Sequence, residues 1–263
     1  MKRVSYPKAV VVIENSEYSD LADDLASRIG ARVLQASEHD DLSDVSFRIM
    51  VGANFTVTAG QGRQQRQIAI DFSAPTLQQR VQAGGKDLLL RACGLHKEQH
   101  SVRRVMDATA GFGSDTWVLA ASGIEVIAVE QDPLVGALLK NALSHACSLG
   151  LETAHNIKLV VGDSTLLESK DSIDVVYIDP MFSAGRRKAA SSKSMSFLQD
   201  WLQDTYSVQD QAALFARACD IASTRVVVKR SVKADFLSSY PPTFQIKGKT
   251  HRFDVYQLGG RSA

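Results

Sequence analysis

Four carboxylates stand at or just after the ends of apolar runs in the second part of this 263-residue chain. They are Asp107, Glu130, Asp163 and Asp179. One Asp after a strand is commonly a turn former or a helix cap. If the four runs are parallel strands, however, their carboxyl ends meet at one edge of a sheet, where such folds bind ligands. The repetition therefore predicts a binding site at that edge.

A glycine turn follows the first of these acids. Residues 105–117 read as an apolar strand, a turn with Gly111 and Gly113, and a helix that starts near Asp115. Glycine lets the backbone approach a ligand closely, and a helix start presents unpaired N–H groups. We expect a nucleotide-like ligand at this turn, with Asp107 beside it. Asp115 is either a cap or dipole partner of the helix or a ligand contact.

The next two acids, Glu130 and Asp163, are placed to bind the ribose and the base of a nucleoside. Glu130 ends the strand after the glycine turn, where a carboxylate can accept both ribose hydroxyls. Asp163 can accept an adenine amino group, and the hydroxyl of Ser164 stands beside it in the sequence.

The residues around the turn favour S-adenosylmethionine (SAM) over a dinucleotide. A dinucleotide-binding turn needs G-x-G-x-x-G, but Thr116 stands where the third glycine would be. A carboxylate at Asp115 would also sit badly beside a pyrophosphate. SAM has no phosphate and carries a positive sulfonium, so the acids Asp107 and Asp115 favour the methyl donor.

The segment Asp179-Pro180-Met181-Phe182 predicts the acceptor. The amino group of a base is a poor nucleophile because its lone pair is delocalised into the ring. The Asp179 carboxylate and the Pro180 carbonyl could accept its two hydrogens and direct the nitrogen at a methyl group. Phe182 could stack on a base that is unstacked or single-stranded. These three residues are the predicted catalytic group, in an in-line transfer without a covalent enzyme intermediate.

Basic clusters flank this segment, although the formal net charge is only +1. Any one such cluster can be a solvated face, but several around one site suggest contacts with a phosphate backbone. The residues expected to hold RNA phosphates are Arg186, Arg187, Lys188, Lys229, Arg230, Lys249 and Arg252.

The composition narrows the class of protein. Hydrophobic residues make up 44% of the chain and charged residues 22%, as in ordinary globular proteins. No run approaches the roughly 18 apolar residues of a membrane span, and the first residues do not resemble a signal peptide. Cys93, Cys147 and Cys219 lack metal-ligand spacing, so we expect no metal site, three cysteines that pack in helices, and a reducing cytoplasm.

The elements that must position these residues alternate in type. After residue 101 we predict strands at 102–107, 124–130, 157–161, 173–179 and 225–229, helices at 115–122, 133–149 and 209–222, and two antiparallel strands at 244–247 and 253–258. Such alternation is typical of an α/β fold with a mostly parallel, Rossmann-like sheet.

The first part of the chain predicts a small α/β subdomain over residues 1–72, followed by one larger domain over 73–263. Strands are expected at 8–13, 32–35, 47–51 and 66–72, with a helix at 16–29. Residues 52–62 read as turns, and a helix over 77–93 is interrupted at Gly84 and Gly85.

The chain resembles the J-type small-subunit ribosomal RNA guanine-N2 methyltransferases, class I enzymes that use SAM. The resemblance runs from about Ile68 to the end. It is carried by segments that share spacing and chemistry: 107–113, Val129-Glu130, Asp132-Pro133 with Leu138-Leu139, 176–182, 225–230 and 247–256. By this resemblance the residues that contact SAM are Ser114, Asp115, Glu130, Gln131, Asp163, Ser164 and Asp179.

The resemblance implies methyl transfer to the exocyclic N2 of a guanosine in 16S ribosomal RNA, either naked or in the small subunit. The residues alone leave another base amino group in RNA or DNA open, because the segment around Asp179 would serve adenine as well. A nucleotide-binding oxidoreductase and a non-catalytic RNA-binding protein are the alternatives from other classes.

Overall fold

The computed structural model describes residues 8–37, 45–53, 55–60, 65–97, 100–167, 172–180, 193–202 and 208–259. The chain forms two compact units, one from Met1–Ile70 with Phe182–Ser207 and the other from Asp71–Met181 with Val208–Ala263. The division at residues 72 and 73 remains a prediction. It does not anticipate that a later segment, 182–207, groups with the N-terminal part.

The first unit contains a five-stranded sheet in the order β2-β1-β3-β4-β5. Its strands are β1 (Ala9–Ile13), β2 (Arg32–Gln35), β3 (Phe47–Val51), β4 (Thr56–Ala59) and β5 (Arg66–Ile68). β1 pairs in parallel with β2 and β3, whereas β4 is antiparallel to both neighbours. The prediction of turns over 52–62 is wrong for β4, because four residues between glycines still pair with β3.

Two α-helices lie in the described part of the first unit. α1 (Ser19–Ile29) buries Leu25 and Ile29 and ends at Gly30, whose φ of 69° is the left-handed value that favours glycine. α6 (Lys193–Trp201) is not among the predicted helices, and it places Trp201 edge-on to Phe47 with 5.1 Å between ring centroids.

The second unit contains a seven-stranded sheet in the order β11-β12-β10-β9-β6-β7-β8. Its strands are β6 (Arg104–Asp107), β7 (Glu125–Glu130), β8 (Ile157–Val161), β9 (Ile173–Ile178), β10 (Ala222–Ser231), β11 (Phe244–Lys247) and β12 (His251–Gln257). β12 is antiparallel to β10 and β11, and the other pairs are parallel. The predicted Rossmann-like, mostly parallel sheet with an antiparallel end is confirmed.

Helices cover both faces of this sheet, and adjacent residues of one strand enter opposite cores. They are α2 (Pro75–Gln82), α3 (Leu88–Cys93), α4 (Ser114–Ala120), α5 (Pro133–Ser148) and α7 (Val208–Ile221). Tyr177 lies in one core with Leu89 of α3, whereas Ile178 lies in the other with Phe215 of α7. The alternation explains why β9 reads as a continuous apolar run.

The topology places the switch point of the sheet between β6 and β9. From β6 the chain builds outward through β7 and β8, and then returns to place β9 on the other side of β6. The Ala108 N–H donates to the Tyr177 carbonyl across this point at 2.9 Å. Open α/β sheets bind ligands where the strand order reverses, so Asp107 and Asp179 stand at the expected place.

Other expected features can be checked directly. Cys93 is buried in α3 and Cys219 is half-buried in α7, but Cys147 is exposed on α5, so the expectation of packing is wrong for Cys147. Within the described residues, no group of three His, Cys, Asp or Glu side chains could hold a metal ion. No helix in that same part of the chain is long and apolar enough to cross a membrane.

Candidate active site

The glycine turn between β6 and α4 is shaped by backbone conformation and by space. Gly111 and Gly113 have φ values of 54° and 74°, which side chains rarely adopt. A Cβ at Gly113 would lie 2.7 Å from Leu139 Cδ1 and 3.1 Å from Phe72 Cζ. A Cβ at Gly111 would meet only the Thr109 carbonyl oxygen, at 4.0 Å. A side chain at Gly113 would therefore also force Leu139 or Phe72 to shift, whereas Gly111 borders open space.

Asp107 holds the start of this turn from inside the protein. Its side chain is almost completely buried and accepts hydrogen bonds from Thr116 Oγ1 at 2.6 Å and from the Thr109 N–H at 3.2 Å. Burial raises the pKa of Asp107 to about 7. The visible role of Asp107 is to join β6, the turn and α4.

Glu130 closes the turn from the neighbouring strand. Its Oε2 accepts the Gly111 N–H and its Oε1 accepts the Asp132 N–H, both at 2.8 Å. Only 6% of the residue is exposed, and burial raises its pKa to about 7. Each carboxylate oxygen keeps a second lone pair. A carboxylate held in this way can accept hydroxyl groups from a ligand beside Gly111.

The loop after β8 presents the next predicted residues. Asp163 Oδ1 accepts the Thr165 N–H at 2.8 Å and the Thr165 hydroxyl at 2.7 Å, which caps a short helical turn. Ser164 is buried, and a Cβ at Gly162 would meet nothing within 4 Å. This loop therefore also borders open space at the same edge of the sheet.

Five side chains form one hydrogen-bonded group at the end of β9, which we call the Lys229 cluster. Its members are Arg80, Asp115, Tyr177, Asp179 and Lys229. Lys229 Nζ lies 2.7 Å from Asp179 Oδ2 and 2.8 Å from Asp115 Oδ2. The Tyr177 hydroxyl donates to Asp115 Oδ2, and Arg80 Nη1 donates to Asp115 Oδ1.

Burial and the charges of the Lys229 cluster shift the pKa values of its two carboxylates in opposite directions. Burial by itself would raise the pKa of Asp115, but the positive charges of Lys229 and Arg80 outweigh it and lower that pKa. The pKa of Asp179 is raised, first by burial and then by the nearby Asp115, although Lys229 opposes both effects. Asp115 is therefore a fixed anion, and Asp179 is the carboxylate whose charge depends on its partners.

The main chain of Asp179 is fixed as well. Its N–H donates to Thr109 Oγ1 in the glycine turn at 2.7 Å, so the turn and the end of β9 are joined directly. The Asp179 side chain is 36% exposed, against 12% for Asp115. Asp179 is thus the acid of the cluster that a substrate can reach, and the buried Pro180 follows it.

Comparisons with known proteins identify the family to which this site belongs. The SAM_MT family model of SAM-dependent methyltransferases matches residues 35–258. The chain belongs to this family. A relative from Hahella chejuensis, named ribosomal RNA small subunit methyltransferase J, is 32% identical over 261 residues, which are 97% of each chain. A relative of the same name from Halorhodospira halophila is 40% identical over 201 residues, covering 73% of this chain and 74% of the relative.

A solved structure has the same fold. The crystal structure of a SAM-dependent methyltransferase from Neisseria gonorrhoeae superposes with a TM-score of 0.69 and 25% sequence identity. The match covers 94% of this chain and 95% of that one.

SAM is therefore the cofactor of this methyltransferase, and the residues present fit it. The glycine turn and the loop after β8 both border open space, and the Glu130 carboxylate stands between them in the sheet order. The acids at this edge match a cofactor that carries a positive sulfonium. Ser114 and Gln131 are exposed at the first residue of α4 and directly after β7. The individual contacts predicted for these residues with SAM remain predictions.

Asp115 lies in the first turn of α4, as expected of a dipole partner, and its contact with a ligand remains a prediction. The residue at the N-cap of α4 is Gly113, and no side chain caps that helix. The Asp115 carboxylate instead joins α2, β9 and β10 through Arg80, Tyr177 and Lys229.

Most of the described residues expected to hold RNA phosphates have other partners in this methyltransferase. Lys229 is part of the cluster, and Arg230 is buried with its Nε donating to the Asp235 carbonyl. Arg252 is only 4% exposed and donates to Asp254 and to three carbonyls, which argues against a phosphate contact. Lys249 is exposed. Phe182, Arg186, Arg187 and Lys188 lie outside the described residues.

Four residues that position the site do not belong to the predicted set. Thr109 contacts Asp179 and Thr116 contacts Asp107, whereas Tyr177 and Arg80 both contact Asp115. Thr109 and Thr116 belong to the glycine turn and its helix, so their closeness to the acids was a usable signal. Tyr177 reads as an apolar strand residue, and nothing in the sequence marks its hydroxyl as a partner of Asp115.

Proposed function

We propose that this protein transfers the methyl group of SAM to the exocyclic N2 of a guanosine in small-subunit ribosomal RNA. The observation that carries the proposal is the partly exposed Asp179 carboxylate at the switch point, joined through Thr109 to the glycine turn. The acceptor group and the cofactor site are thus one strand apart. The name shared by the relatives supports a ribosomal RNA substrate, and the family resemblance supports guanine.

The residues contribute mainly by positioning. SAM supplies an electrophilic methyl group on its sulfonium. Asp179 and the Pro180 carbonyl accept the two hydrogens of the base amino group and orient the nitrogen lone pair toward that methyl group. Such orientation can contribute several kcal/mol to catalysis, up to about 7–11 kcal/mol in the best intramolecular cases.

A strong base is not needed, because the attacking nitrogen becomes acidic only as the new bond forms. The proton that it then loses can pass to Asp179, whose raised pKa suits it to receive a proton. Phe182 as a stacking partner of the base completes the acceptor side of the proposal. The proposed SAM-binding residues are Asp107, Gly111, Gly113, Ser114, Asp115, Glu130, Gln131, Asp163, Ser164 and Asp179. A cytoplasmic location, where ribosomal subunits form, is part of it.

A methylation assay tests the proposal. Purified protein is incubated with methyl-labelled SAM and either protein-free 16S ribosomal RNA or assembled small subunits, both from cells that lack this gene. Mass spectrometry of the nucleosides should show N2-methylguanosine. Labelled N6-methyladenosine would show that the target base is adenine rather than guanine. The absence of label from both RNA substrates would overturn the proposal.

A further inference from the structure

The exposed aromatic side chains of the described residues are concentrated in one segment. Phe236, Tyr240 and Phe244 are 43%, 59% and 37% exposed, and Val232 nearby is 39% exposed. We call these four residues the aromatic surface. Several large exposed apolar groups in one short segment are candidates for an interaction site.

Two buried arginines hold the start of this segment in place. Arg252 donates to the carbonyls of Ser231, Val232 and Ala234, each at 2.8 Å. Arg230 donates to the Asp235 carbonyl at 3.0 Å. A connection that served only to join β10 to β11 would not need three of its carbonyls, those of Val232, Ala234 and Asp235, bound to buried guanidinium groups. The scaffold thus presents the aromatic surface in a fixed conformation.

The aromatic rings are anchored on one side and open on the other. The Arg252 guanidinium lies over the Phe236 ring, 5.4 Å from its centroid, which stabilises the ring through a cation–π contact. The Tyr240 ring meets the buried Phe215 edge-on, with 6.4 Å between centroids. Leu237 between them packs against the core on the Phe215 side of the sheet. Both rings therefore keep a fixed orientation while much of their area faces solvent.

The surface begins beside the proposed acceptor site. Lys229, which contacts Asp179, lies on β10 three residues before Val232. β10 runs parallel to β9, so the aromatic surface starts at the edge of the sheet that carries Asp179. A substrate whose reacting base reaches Asp179 would pass Val232 at this edge before it meets Tyr240, which packs against Phe215 on the other side of the sheet.

The charge around the rings favours an anionic partner. Between residues 232 and 249 the chain carries three lysines, Lys233, Lys247 and Lys249, and one acid, Asp235, and all four are exposed. Aromatic rings interleaved with positive charge suit unpaired nucleotides, because bases stack on the rings and phosphates meet the ammonium groups.

We propose that the aromatic surface binds unpaired nucleotides next to the target base, with Phe236 and Tyr240 stacking on bases and Lys233 and Lys249 contacting phosphates. This inference rests on the proposed function, because it takes ribosomal RNA as the substrate. It also gives the buried Arg230 and Arg252 a new role, as scaffold residues that hold the surface rather than as phosphate contacts.

The test compares ring removal with ring retention in the full chain. Phe236→Ala and Tyr240→Ala should each weaken binding of protein-free 16S ribosomal RNA by roughly 5- to 100-fold, whereas Tyr240→Phe should bind like wild type. SAM affinity, measured by calorimetry, should stay unchanged for both Tyr240 variants, and the melting temperature should stay unchanged for Tyr240→Phe, which keeps the ring contact with Phe215. Leu149→Ala is the matched control, since Leu149 is a 54% exposed apolar residue at the C-terminal end of α5.

Salt dependence separates the phosphate contacts from the stacking. Lys233→Ala and Lys249→Ala should each lower the slope of log affinity against log salt by about one, while the ring variants keep the wild-type slope.

Several outcomes would overturn the inference without touching the proposed function. If the wild type methylates ribosomal RNA but the Tyr240→Ala and Phe236→Ala double variant keeps its RNA affinity, the surface does not bind RNA. If that variant loses affinity for assembled subunits only, the partner is a ribosomal protein. Failure of the wild type to methylate either substrate would instead remove the proposed function.

Discussion

The two halves of the active site are held in different ways. On the cofactor side, Glu130 binds the main-chain N–H groups of Gly111 and Asp132, and the turn depends on glycine conformation. On the acceptor side, Asp179 is held mainly by side chains, through Lys229 and Thr109. The cofactor half is thus built from main-chain contacts of the glycine turn and the neighbouring strand end. The acceptor half is built from side chains of several elements that are far apart in sequence.

The difference corresponds to what each half must do. SAM is one fixed molecule, and a backbone turn can fit it with little adjustment. The acceptor half must admit a base and also control the charge of one carboxylate. Side chains such as Lys229 can set that charge, because their Coulomb interaction with Asp179 changes the balance between its protonated and ionised forms.

The largest expected effect comes from the acceptor half. Asp179→Ala should lower kcat for methyl transfer by roughly 10³-fold, the scale for loss of one group that stabilises developing charge. SAM binding should be largely kept, because most of the proposed SAM contacts, Glu130 and Gly111 among them, remain. Turnover and calorimetry on the same preparation measure the two quantities. Asp220→Ala, which removes an exposed carboxylate on α7, is the control.

A contrary result would break the comparison. If Asp179→Ala lost SAM binding and catalysis together, then the acceptor half and the cofactor half would be one site rather than two. Full turnover would remove Asp179 from the catalytic group.

The next effect belongs to the cofactor half. Glu130→Ala should weaken SAM binding by roughly 10- to 100-fold, since a hydrogen bond to a charged group is worth about 1.5–3 kcal/mol. The wild type should also bind SAM more weakly as the pH falls through about 7, where Glu130 takes up a proton and accepts hydrogen bonds less well. Calorimetry at several pH values measures both changes.

Asp107 provides the control for that pH dependence, because its pKa is also raised to about 7 by burial. Asp107→Asn should keep the pH dependence of SAM affinity, and Glu130→Ala should lose it. The reverse pattern would assign the titration to Asp107 and contradict the role of Glu130.

The contrast between the halves also explains how far the sequence could be read. Strand ends with acids and the glycine turn are local patterns, so the parallel sheet and the position of Glu130 and Asp179 could be predicted from spacing. The contacts of Arg80, Tyr177 and Lys229 with the acids could not. They join residues that are far apart in sequence, and only the order of the strands brings them together.

Two interpretations needed information that local sequence patterns do not contain. Positive charge near the site suggested RNA contacts for Arg252 and Lys229, but charge in a sequence does not show whether a side chain is buried. The guanidinium of Arg252 is buried and donates its hydrogen bonds to Asp254 and to main-chain carbonyls. β4 was missed because a four-residue strand between glycines has too few residues to show a period.

A smaller effect tests whether the two glycines of the turn differ as their surroundings indicate. Both have positive φ, so alanine at either should cost about 1–2 kcal/mol of folding free energy. Gly113→Ala should cost about 1–3 kcal/mol more, because its Cβ would overlap Leu139 and Phe72. Denaturant unfolding measures the difference, and equal losses would show that Leu139 and Phe72 move aside without cost.

The smallest effect is a shift in pH dependence at Lys229, and it tests how the acceptor half works. The ammonium group of Lys229 lowers the pKa of Asp179, so its removal in Lys229→Met should raise that pKa further. Because Asp179 acts as a carboxylate, the acidic limb of kcat/KM should move to higher pH, and most activity should return at alkaline pH.

Lys229→Arg keeps the positive charge and should leave the acidic limb of kcat/KM close to its wild-type position. Any loss of activity in this variant should be the same at every pH. SAM affinity should change less than activity in either variant, because the hydrogen bonds of Lys229 go to Asp115 and Asp179 and leave Glu130 and Gly111 in place. A purely structural role for Lys229 would lower activity equally at all pH values in Lys229→Met. A limb that stays in place in Lys229→Met would therefore show that Lys229 supports the fold near Asp179 and does not control its charge.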